Sequence, residues 1–417
     1  MKRARDSRWT MTATREVTYE VVTTSDIFDP DNPELGLLPG GRMGGGTRLV
    51  VIDEAVERVF GNKIRRYFNL NNIAVEYMTL CGGEENKTID AVLKVASKLS
   101  EIGTDRVGTP PIAIGGGVLQ DIVGMTASLY RRGIPYVRVP TTLLGQIDGS
   151  VSAKNGVNYE GCRNRLGTFA PPPKTLIDRA LLATLPERQI RSGLGEALKV
   201  ALIKDARLFE LLETHGSELV RYRLQDSDAR SGDSQPSLEV IQRSITGMAE
   251  GLTKNLWESE LKRIVDYGHT FSPIVEMRAL PKLHHGEAVA MGCLFSAVLA
   301  ANRGLLNPEQ LIRIINTTAG IGLPLTHPLF ADADVMKEAL ADTMRHRDNN
   351  QHITFLADIG KTVFVEDVVD AEIERASAFM AHLLQPHVPD DAALTKLLSE
   401  PGATTGYDAS QLAHRAV

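Results

Sequence analysis

The chain has 417 residues, 43% hydrophobic and 24% charged, with a formal net charge of -6. This excludes a largely disordered chain, and at roughly 150 residues per domain it suggests two or three domains. A pI of about 6.0 excludes a global basic field for nucleic acid, and no apolar run approaches the roughly 20 residues of a membrane span.

In chain order, residues 1–15 carry Lys2, Arg3, Arg5 and Arg8 with no apolar run behind them. They read as a disordered leader and not a secretory signal, with Met11 as an alternative start. Residues 15–24 alternate β-branched and polar side chains and predict a strand; 29–46, rich in Pro and Gly, predict a loop. Strands follow at 48–53, 75–80, 111–114 and 136–139, with helices at 55–68 and 88–102 between them. Strands alternating with helices predict a parallel α/β sheet. After Pro171-Pro172-Pro173 the character changes. Thr184-Leu185-Pro186-Glu187 has the form of a capping box opening a helix that runs to about His215. Residues 225–237 predict a surface loop, and 238–253, 269–277, 287–304 and 308–319 predict helices. The expected organisation is a leader over 1–15, an α/β unit over 16–182, a mainly helical unit over 183–385 and a weakly patterned tail over 386–417. Three scattered cysteines, Cys81, Cys162 and Cys293, give no disulfide framework and point to a reduced, cytoplasmic setting.

Three groups of residues carry chemistry. A strand runs into Gly115-Gly116-Gly117 and then an apparent helix, an arrangement in which backbone amides approach a phosphate. Asp53, at the end of an earlier strand, suits a ribose hydroxyl or, equally, a strand-end cap. Glu196, His269 and the pair His284-His285 form a second group. Two imidazoles and one carboxylate leave a fourth position open, as in catalytic zinc sites, although no short metalloprotease spacing is present. The third group is cationic and polar: Lys154, Asn155, Asn158, Arg163, Asn164 and Arg165, with Lys199 one helical turn beyond Glu196. Taken singly, each has an ordinary explanation as a structural turn, a surface histidine or a solvated face.

Together and in this order, the segments resemble the sugar phosphate cyclase superfamily, the 3-dehydroquinate synthase-like enzymes. The resemblance covers roughly 15–370 and rests on GGEENK (82–87), GGGVLQDIVG (115–124), VPTTLLGQID (139–148), AKNGVN (153–158), RNRLGTF (163–169), GLGEALK (193–199), GHTFSP (268–273) and HGEAV (285–289). It implies an α/β fold: an N-terminal Rossmann-like NAD-binding domain, a C-terminal mainly α-helical metal-binding domain and an active site in the cleft. It assigns Glu196, His269 and His285 to Zn2+, with Co2+ or another divalent metal as substitutes. NAD+ contacts would come from Asp53, Glu84, Lys87, Gly116, Gly117, Val118, Asp121, Thr141, Thr142 and Thr184. Asp148, Lys154, Arg163, Asn164, Lys199, Asp266 and Arg132 would serve a small-molecule sugar phosphate. A homodimer formed through the N-terminal domain is implied as well, with no nucleic-acid or membrane partner.

Departures from the dehydroquinate synthase pattern narrow the expectation. Asp266 stands where those enzymes usually have Asn, Pro273 replaces a second His, and a lysine near Met248 is missing. These groups serve a substrate carboxylate. GHTFSP, NRLGTF, Asn255-Leu256-Trp257-Glu258 and Arg345-His346-Arg347-Asp348 resemble instead the branch that acts on sedoheptulose 7-phosphate. Within that branch, Asp at position 266 is the habit of the 2-epi-5-epi-valiolone synthases. The expected reaction is transient oxidation by NAD+, elimination of phosphate, reduction, ring opening and intramolecular aldol closure, with NAD recycled. Asp266 is expected to face substrate hydroxyls, or else to cap a helix starting near His269. Gln120, Asn155 and Arg163 depart from that branch's Met, Thr and Lys. The alternatives are a 2-epi-valiolone, desmethyl-4-deoxygadusol or 3-dehydroquinate synthase, a metal-dependent polyol dehydrogenase releasing NADH, and a non-catalytic sugar-phosphate binder.

Overall fold

The computed structural model describes residues 8–14, 16–38, 45–225, 235–384 and 390–399. The N-terminal half is built on a six-stranded sheet of β1 (Glu20–Thr24), β2 (Arg48–Asp53), β3 (Val75–Leu80), β4 (Ile112–Gly115), β5 (Val137–Pro140) and β8 (Lys174–Asp178). Their order is β1-β8-β5-β4-β2-β3, and every neighbouring pair is parallel. The period-2 alternation of a strand sends successive side chains to opposite faces. On β2, Val50 and Ile52 therefore pack with Ile64, Tyr67 and Phe68 of α1 (Glu54–Leu70). Leu49 and Val51 face the other way, toward Val92, Val95 and Leu99 of α2 (Ile89–Glu101) and Leu119, Ile122 and Val123 of α3 (Gly117–Leu129). Burial on both faces explains why these strands read as continuous apolar runs.

The first strand is shorter than its sequence pattern predicts. β1 pairs with β8 from Glu20↔Lys174 onward. Residues further back would need partners in the run Pro171–Pro173, which has no N–H to offer. The sequence reading placed no strand at β8, since the proline run looked like the end of the α/β pattern. It also read as a bare cationic strip what is an antiparallel hairpin of β6 (Lys154–Tyr159) and β7 (Cys162–Phe169). The hairpin turns at Glu160 (φ 49°) and Gly161 (φ 72°), the two left-handed residues that match strand twist.

The helical half contains α4 (Glu187–Lys204), α5 (Ala206–Arg221), α6 (Pro236–Thr253), α7 (Ser272–Ala279), α8 (His285–Asn302), α9 (Pro308–Ile321), α10 (Ala333–Arg345), α11 (Asp370–His382) and α12 (Asp391–Ser399), with a hairpin of β9 (Ile353–Asp358) and β10 (Lys361–Val365). The single helix expected up to His215 is two helices. Asp205 interrupts it and caps α5, accepting from Leu208 N at 3.0 Å. The expected capping box at 184–187 does not form: the residue before α4 is Pro186, with no side-chain cap, and Glu187 pairs with Arg191 at 2.8 Å. Buried on nearly every side, α8 is the axis of this half. The weak patterning after residue 385 hides α12, whose Leu394 joins the same core.

Candidate active site

The site is organised by α4, through its Gly-Leu-Gly-Glu-Ala-Leu-Lys segment. A Cβ on Gly193 would lie 2.5 Å from Leu143 Cβ, and a Cβ on Gly195 2.2 Å from the Gly286 carbonyl oxygen. Hydrogen at these positions lets the loop after β5 and the start of α8 both press on α4. Gly286 N donates to Ser192 Oγ at 3.1 Å, pinning the start of α8 against α4. Gly268 has φ 79° and sits against α8, where a Cβ would be 2.7 Å from Cys293 Sγ. These close crossings carry Glu196, His285 and His269 to one place.

Glu196, His269 and His285 offer ligand atoms that all lie within 4.8 Å of one another. His285 Nε2 is 3.2 Å and His269 Nε2 3.7 Å from Glu196 Oε1. The second ring nitrogens point away: His269 Nδ1 lies 3.3 Å from the Tyr267 carbonyl oxygen, and His285 Nδ1 2.9 Å from Glu276 Oε2. Tyr267 is itself anchored to α8, its hydroxyl donating to the Cys293 carbonyl at 2.7 Å. Lys199 Nζ is 2.5 Å from Glu196 Oε2, and both residues are almost wholly buried. Burial would raise the Glu196 carboxyl, but Lys199 and the two imidazoles hold it well below the usual carboxylate range. Burial, and then the Lys199 ammonium, depress His269 to about 3. His285 also suffers burial and the nearby Arg163, yet Glu276 and Glu196 outweigh them and push it up to about 9. One imidazole is thus a neutral donor and the other lies between two carboxylates. Glu196 Oε2 is held by Lys199, whereas Oε1, equally buried, has no hydrogen-bond donor and faces the two imidazoles. Two imidazoles and a carboxylate oxygen left over at this spacing fit a divalent cation. The trio Glu196, His269 and His285 is therefore one cluster, while His284 stands outside it, its backbone N–H bonded to Glu287 Oε2 at 2.9 Å.

The nucleotide side is made differently. Gly116 precedes α3 with no side-chain cap, and a Cβ on Gly117 would meet nothing within 4 Å. The helix start is thus open to an anion. Asp53 caps α1, accepting from Ala55 N at 2.8 Å, and lies against Gly82 and Gly115. Thr142 lies against Gly116, and Thr141 N donates to the Gly115 carbonyl at 3.0 Å. Lys87 Nζ pairs with Asp121 at 2.5 Å and donates to Asn164 Oδ1 at 2.7 Å. Glu84 Oε1 accepts from Asn158 Nδ2 at 2.9 Å. Asn164, expected beside substrate, is therefore tied to Lys87, one of the residues expected at NAD+. Val118 follows Gly117 in the first turn of α3. Thr184 and Arg132 are exposed, and their side chains make no hydrogen bond or ion pair among the described residues.

The cationic groups lead from this side to the metal cluster, with Arg163 Nε 3.7 Å from Glu84 Oε1. Burial, and then Glu196, raises the Asp148 carboxyl, against the pull of Lys199, so Asp148 faces the cluster. Arg163 Nη1 donates to Glu276 Oε2 at 2.7 Å and lies 2.8 Å from His285 Nδ1. Lys154 Nζ pairs with Glu258 at 2.7 Å, and Glu258 also pairs with Arg263. Asp266 continues this chain: Oδ2 accepts from Arg263 Nη2 at 2.6 Å and Arg347 Nη2 at 3.1 Å. It caps no helix, since α7 begins at Ser272 after Phe271. Its charge is answered by two guanidiniums, so repulsion of a substrate carboxylate is muted. Sequence reasoning missed Arg263 and Glu276; neither falls in a motif, and only folding brings them to the site.

Profiles of the 3-dehydroquinate synthase N-terminal and C-terminal domains match residues 77–192 and 193–349. The 2-epi-5-epi-valiolone synthase of Streptomyces hygroscopicus subsp. jinggangensis is 45% identical over 89% of this chain and 89% of its own. The chain belongs to the dehydroquinate synthase family of sugar phosphate cyclases. The 2-epi-5-epi-valiolone synthase of an Actinoplanes species is 45% identical over 94% of this chain and 96% of its own. A structure of the Streptomyces enzyme with NAD+ and Zn2+ bound superposes with a TM-score of 0.84 at 44% identity, covering 90% of this chain and 99% of that one. Within this family framework, two of the departures are interior substitutions. Gln120 Nε2 donates to the carbonyls of Ala113 and Gly115, both at 3.1 Å. Asn155 accepts from Arg138 at 2.6 Å and Tyr136 at 3.1 Å and donates to the Ala170 carbonyl at 2.9 Å. Neither side chain faces the cluster; Arg163 does.

Proposed function

We propose that the chain converts sedoheptulose 7-phosphate to 2-epi-5-epi-valiolone with release of inorganic phosphate and no net oxidation. The observation that carries this reading is the likeness to 2-epi-5-epi-valiolone synthases along almost the whole of both chains. Glu196, His269 and His285 would hold a divalent metal, zinc or cobalt. Gly116, Gly117 and Val118 at the start of α3, with Asp53, Glu84, Lys87, Asp121, Thr141, Thr142 and Thr184, would hold NAD+. When bound, NAD+ supplies a reversible hydride acceptor and the metal supplies Lewis acidity at substrate oxygens.

The chain's own residues do the rest. Lys199 keeps a buried positive charge beside the reacting oxygens, and Arg163 keeps another on the far side of His285. Fixed charges in a dry site stabilise negative charge as it develops. Lys154, half-exposed at the mouth, is placed to exchange Glu258 for a substrate phosphate. Asp148 faces Lys199 and the metal ligands, where it orients hydroxyls. Asp266 holds Arg263 and Arg347 in place. The α/β unit over 16–182 would carry the nucleotide and the helical unit over 183–385 the metal. The family likeness supports a homodimer formed through the α/β unit, with Arg132 on its surface, and the three free cysteines suit a reducing cytoplasm. No helix among the described residues is long and apolar enough to cross a membrane.

The deciding experiment supplies sedoheptulose 7-phosphate, NAD+ and Zn2+, then measures phosphate release, net NADH and the product by NMR. Stoichiometric phosphate, no accumulating NADH and 2-epi-5-epi-valiolone are expected. Faster turnover of the heptulosonate phosphate of the shikimate pathway would return the chain to dehydroquinate synthase. Net NADH without phosphate would make it a polyol dehydrogenase, and binding without turnover a sugar-phosphate binder. Light scattering at micromolar concentration tests the dimer; a monomer refutes it.

A further inference from the structure

We infer that Glu276 is a positioning residue for the metal centre: it fixes which nitrogen His285 presents to the cluster and holds Arg163 against the same imidazole. This role rests on the metal reading above. Glu276 lies on α7 and is only 2% exposed. A carboxylate removed from water at that depth costs several kcal/mol unless it is paired and hydrogen-bonded. Its partners here are two, and they meet on one atom. Oε2 accepts from Arg163 Nη1 at 2.7 Å and lies 2.9 Å from His285 Nδ1.

The shared oxygen decides the tautomer. Arg163 Nη1 carries only donor hydrogens, and it also lies 2.8 Å from His285 Nδ1. If Nδ1 were the acceptor of that guanidinium, its lone pair would face the Glu276 carboxylate as well, with no proton between them. With the proton on Nδ1, both groups donate to Glu276 Oε2, and the one lone pair left facing a carboxylate is that of Nε2, where the metal reading puts the cation. The approach of Arg163 to Nδ1 then follows from their common acceptor. The other nitrogen, Nε2, is left with its lone pair toward Glu196 Oε1, 3.2 Å away. A histidine that ligates through one nitrogen commonly donates its other N–H to a carboxylate or carbonyl, which orients the ring and raises its basicity. His269 follows the same rule through the Tyr267 carbonyl. The two ligand histidines thus differ in their outer partner: one has a neutral carbonyl, the other a carboxylate.

A second consequence concerns the two halves of the molecule. Arg163 comes from the β6–β7 hairpin, whereas Glu276 and His285 come from α7 and α8. The Glu276 oxygen therefore joins a substrate-facing cation of the N-terminal half to a metal ligand of the C-terminal half. An ion pair serving only to tie the halves together would have the same contacts to Arg163 and no effect on metal.

The test measures Zn2+ affinity by chelator competition on the full chain, for the wild type, His269→Ala, Glu276→Gln and Glu276→Asp. Loss of an outer carboxylate typically weakens metal binding by about 10- to 100-fold. Glu276→Gln is expected to raise the Zn2+ dissociation constant within that range, to reduce the Zn2+-induced rise in Tm, and to change the visible spectrum of the Co2+-loaded chain. Glu276→Asp, which keeps the charge, is expected to fall between Gln and wild type, and it carries the comparison if the Gln variant does not fold. A purely structural tie predicts a Tm lowered equally with and without Zn2+, with unchanged affinity. Wild-type binding, lost in His269→Ala but within twofold of wild type in Glu276→Gln, would overturn the role of Glu276 and leave the metal centre standing. Absence of Zn2+ binding by the wild type would overturn the metal centre itself, and the role of Glu276 with it.

Discussion

The two walls of the site are made from different materials. On the nucleotide side the chemistry is backbone: an open helix start, a glycine turn and short polar side chains, drawn largely from consecutive residues at the ends of neighbouring parallel strands. On the metal side it is buried charge: Glu196 and Lys199 of α4 share a small volume with Glu276, Arg163 and two histidines brought in from other stretches of chain. A backbone cradle depends on empty space, so it is sensitive to added atoms. A charge cluster depends on balance, so it is sensitive to the loss of any single member. The contrast predicts opposite responses to similar substitutions.

The largest expected effect is on the metal side. His269→Ala should abolish both stoichiometric metal and turnover, while NAD+ binding by calorimetry stays near wild type; full metal occupancy in that variant would contradict the ligand assignment. Next come two alanines that separate the walls. A Cβ on Gly286 would lie 1.7 Å from the Ser192 carbonyl oxygen. Gly286→Ala should therefore push α8 off α4, destabilise by at least ~1–3 kcal/mol and weaken metal binding. Gly117 has open space at the same position, so Gly117→Ala should leave Tm unchanged and weaken NAD+ by about tenfold, roughly 1.4 kcal/mol. A large Tm loss at Gly117, or none at Gly286, would break the comparison.

Asp266 gives a smaller and pH-dependent effect. Burial would raise its carboxyl, but Arg263 and Arg347 hold it below its ordinary 3.8. A group depressed on folding stabilises the protein above its unfolded pKa, and that stabilisation is lost as the pH falls through the folded value. Asp266→Asn should lower Tm near neutral pH as well as activity, and the Tm gap to wild type should close below about pH 4. An unchanged Tm at neutral pH would mean that Asp266 serves substrate alone. The smallest effect is expected at Gln120. Gln120→Met gives up two hydrogen bonds beneath the glycine turn, at a cost of about 1–2 kcal/mol measured by denaturant titration, with NAD+ affinity little changed.

Legibility followed the same division. β2, β4 and β5 were readable because strands buried on both faces leave short apolar runs separated by helical periodicity, and the partly exposed edge strand β3 because its β-branched and aromatic residues stand between two helical patterns. The β6–β7 hairpin was not, because its exposed, charged side chains obscured alternation and only Glu160-Gly161 marked the turn. Arg163 and Asn155 both read as members of one cationic strip. In the fold, Arg163, on β7, turns to the metal ligands, whereas Asn155, on β6, turns into the interior.

By itself the sequence determined the parallel α/β half, the glycine turn, the helical second half and the three candidate ligands, all of which are carried by local periodicity or by motifs a few residues long. Only the tertiary structure decided that Glu276 stands behind His285, that Asp266 is held between Arg263 and Arg347, and that Gly195 and Gly286 must be bare for Glu196 and His285 to meet. The reason is physical: a hydrophobic pattern repeats along the chain and can be read there, whereas the pairing of a buried charge depends on residues far apart in sequence that share a few cubic ångströms only after the chain has folded.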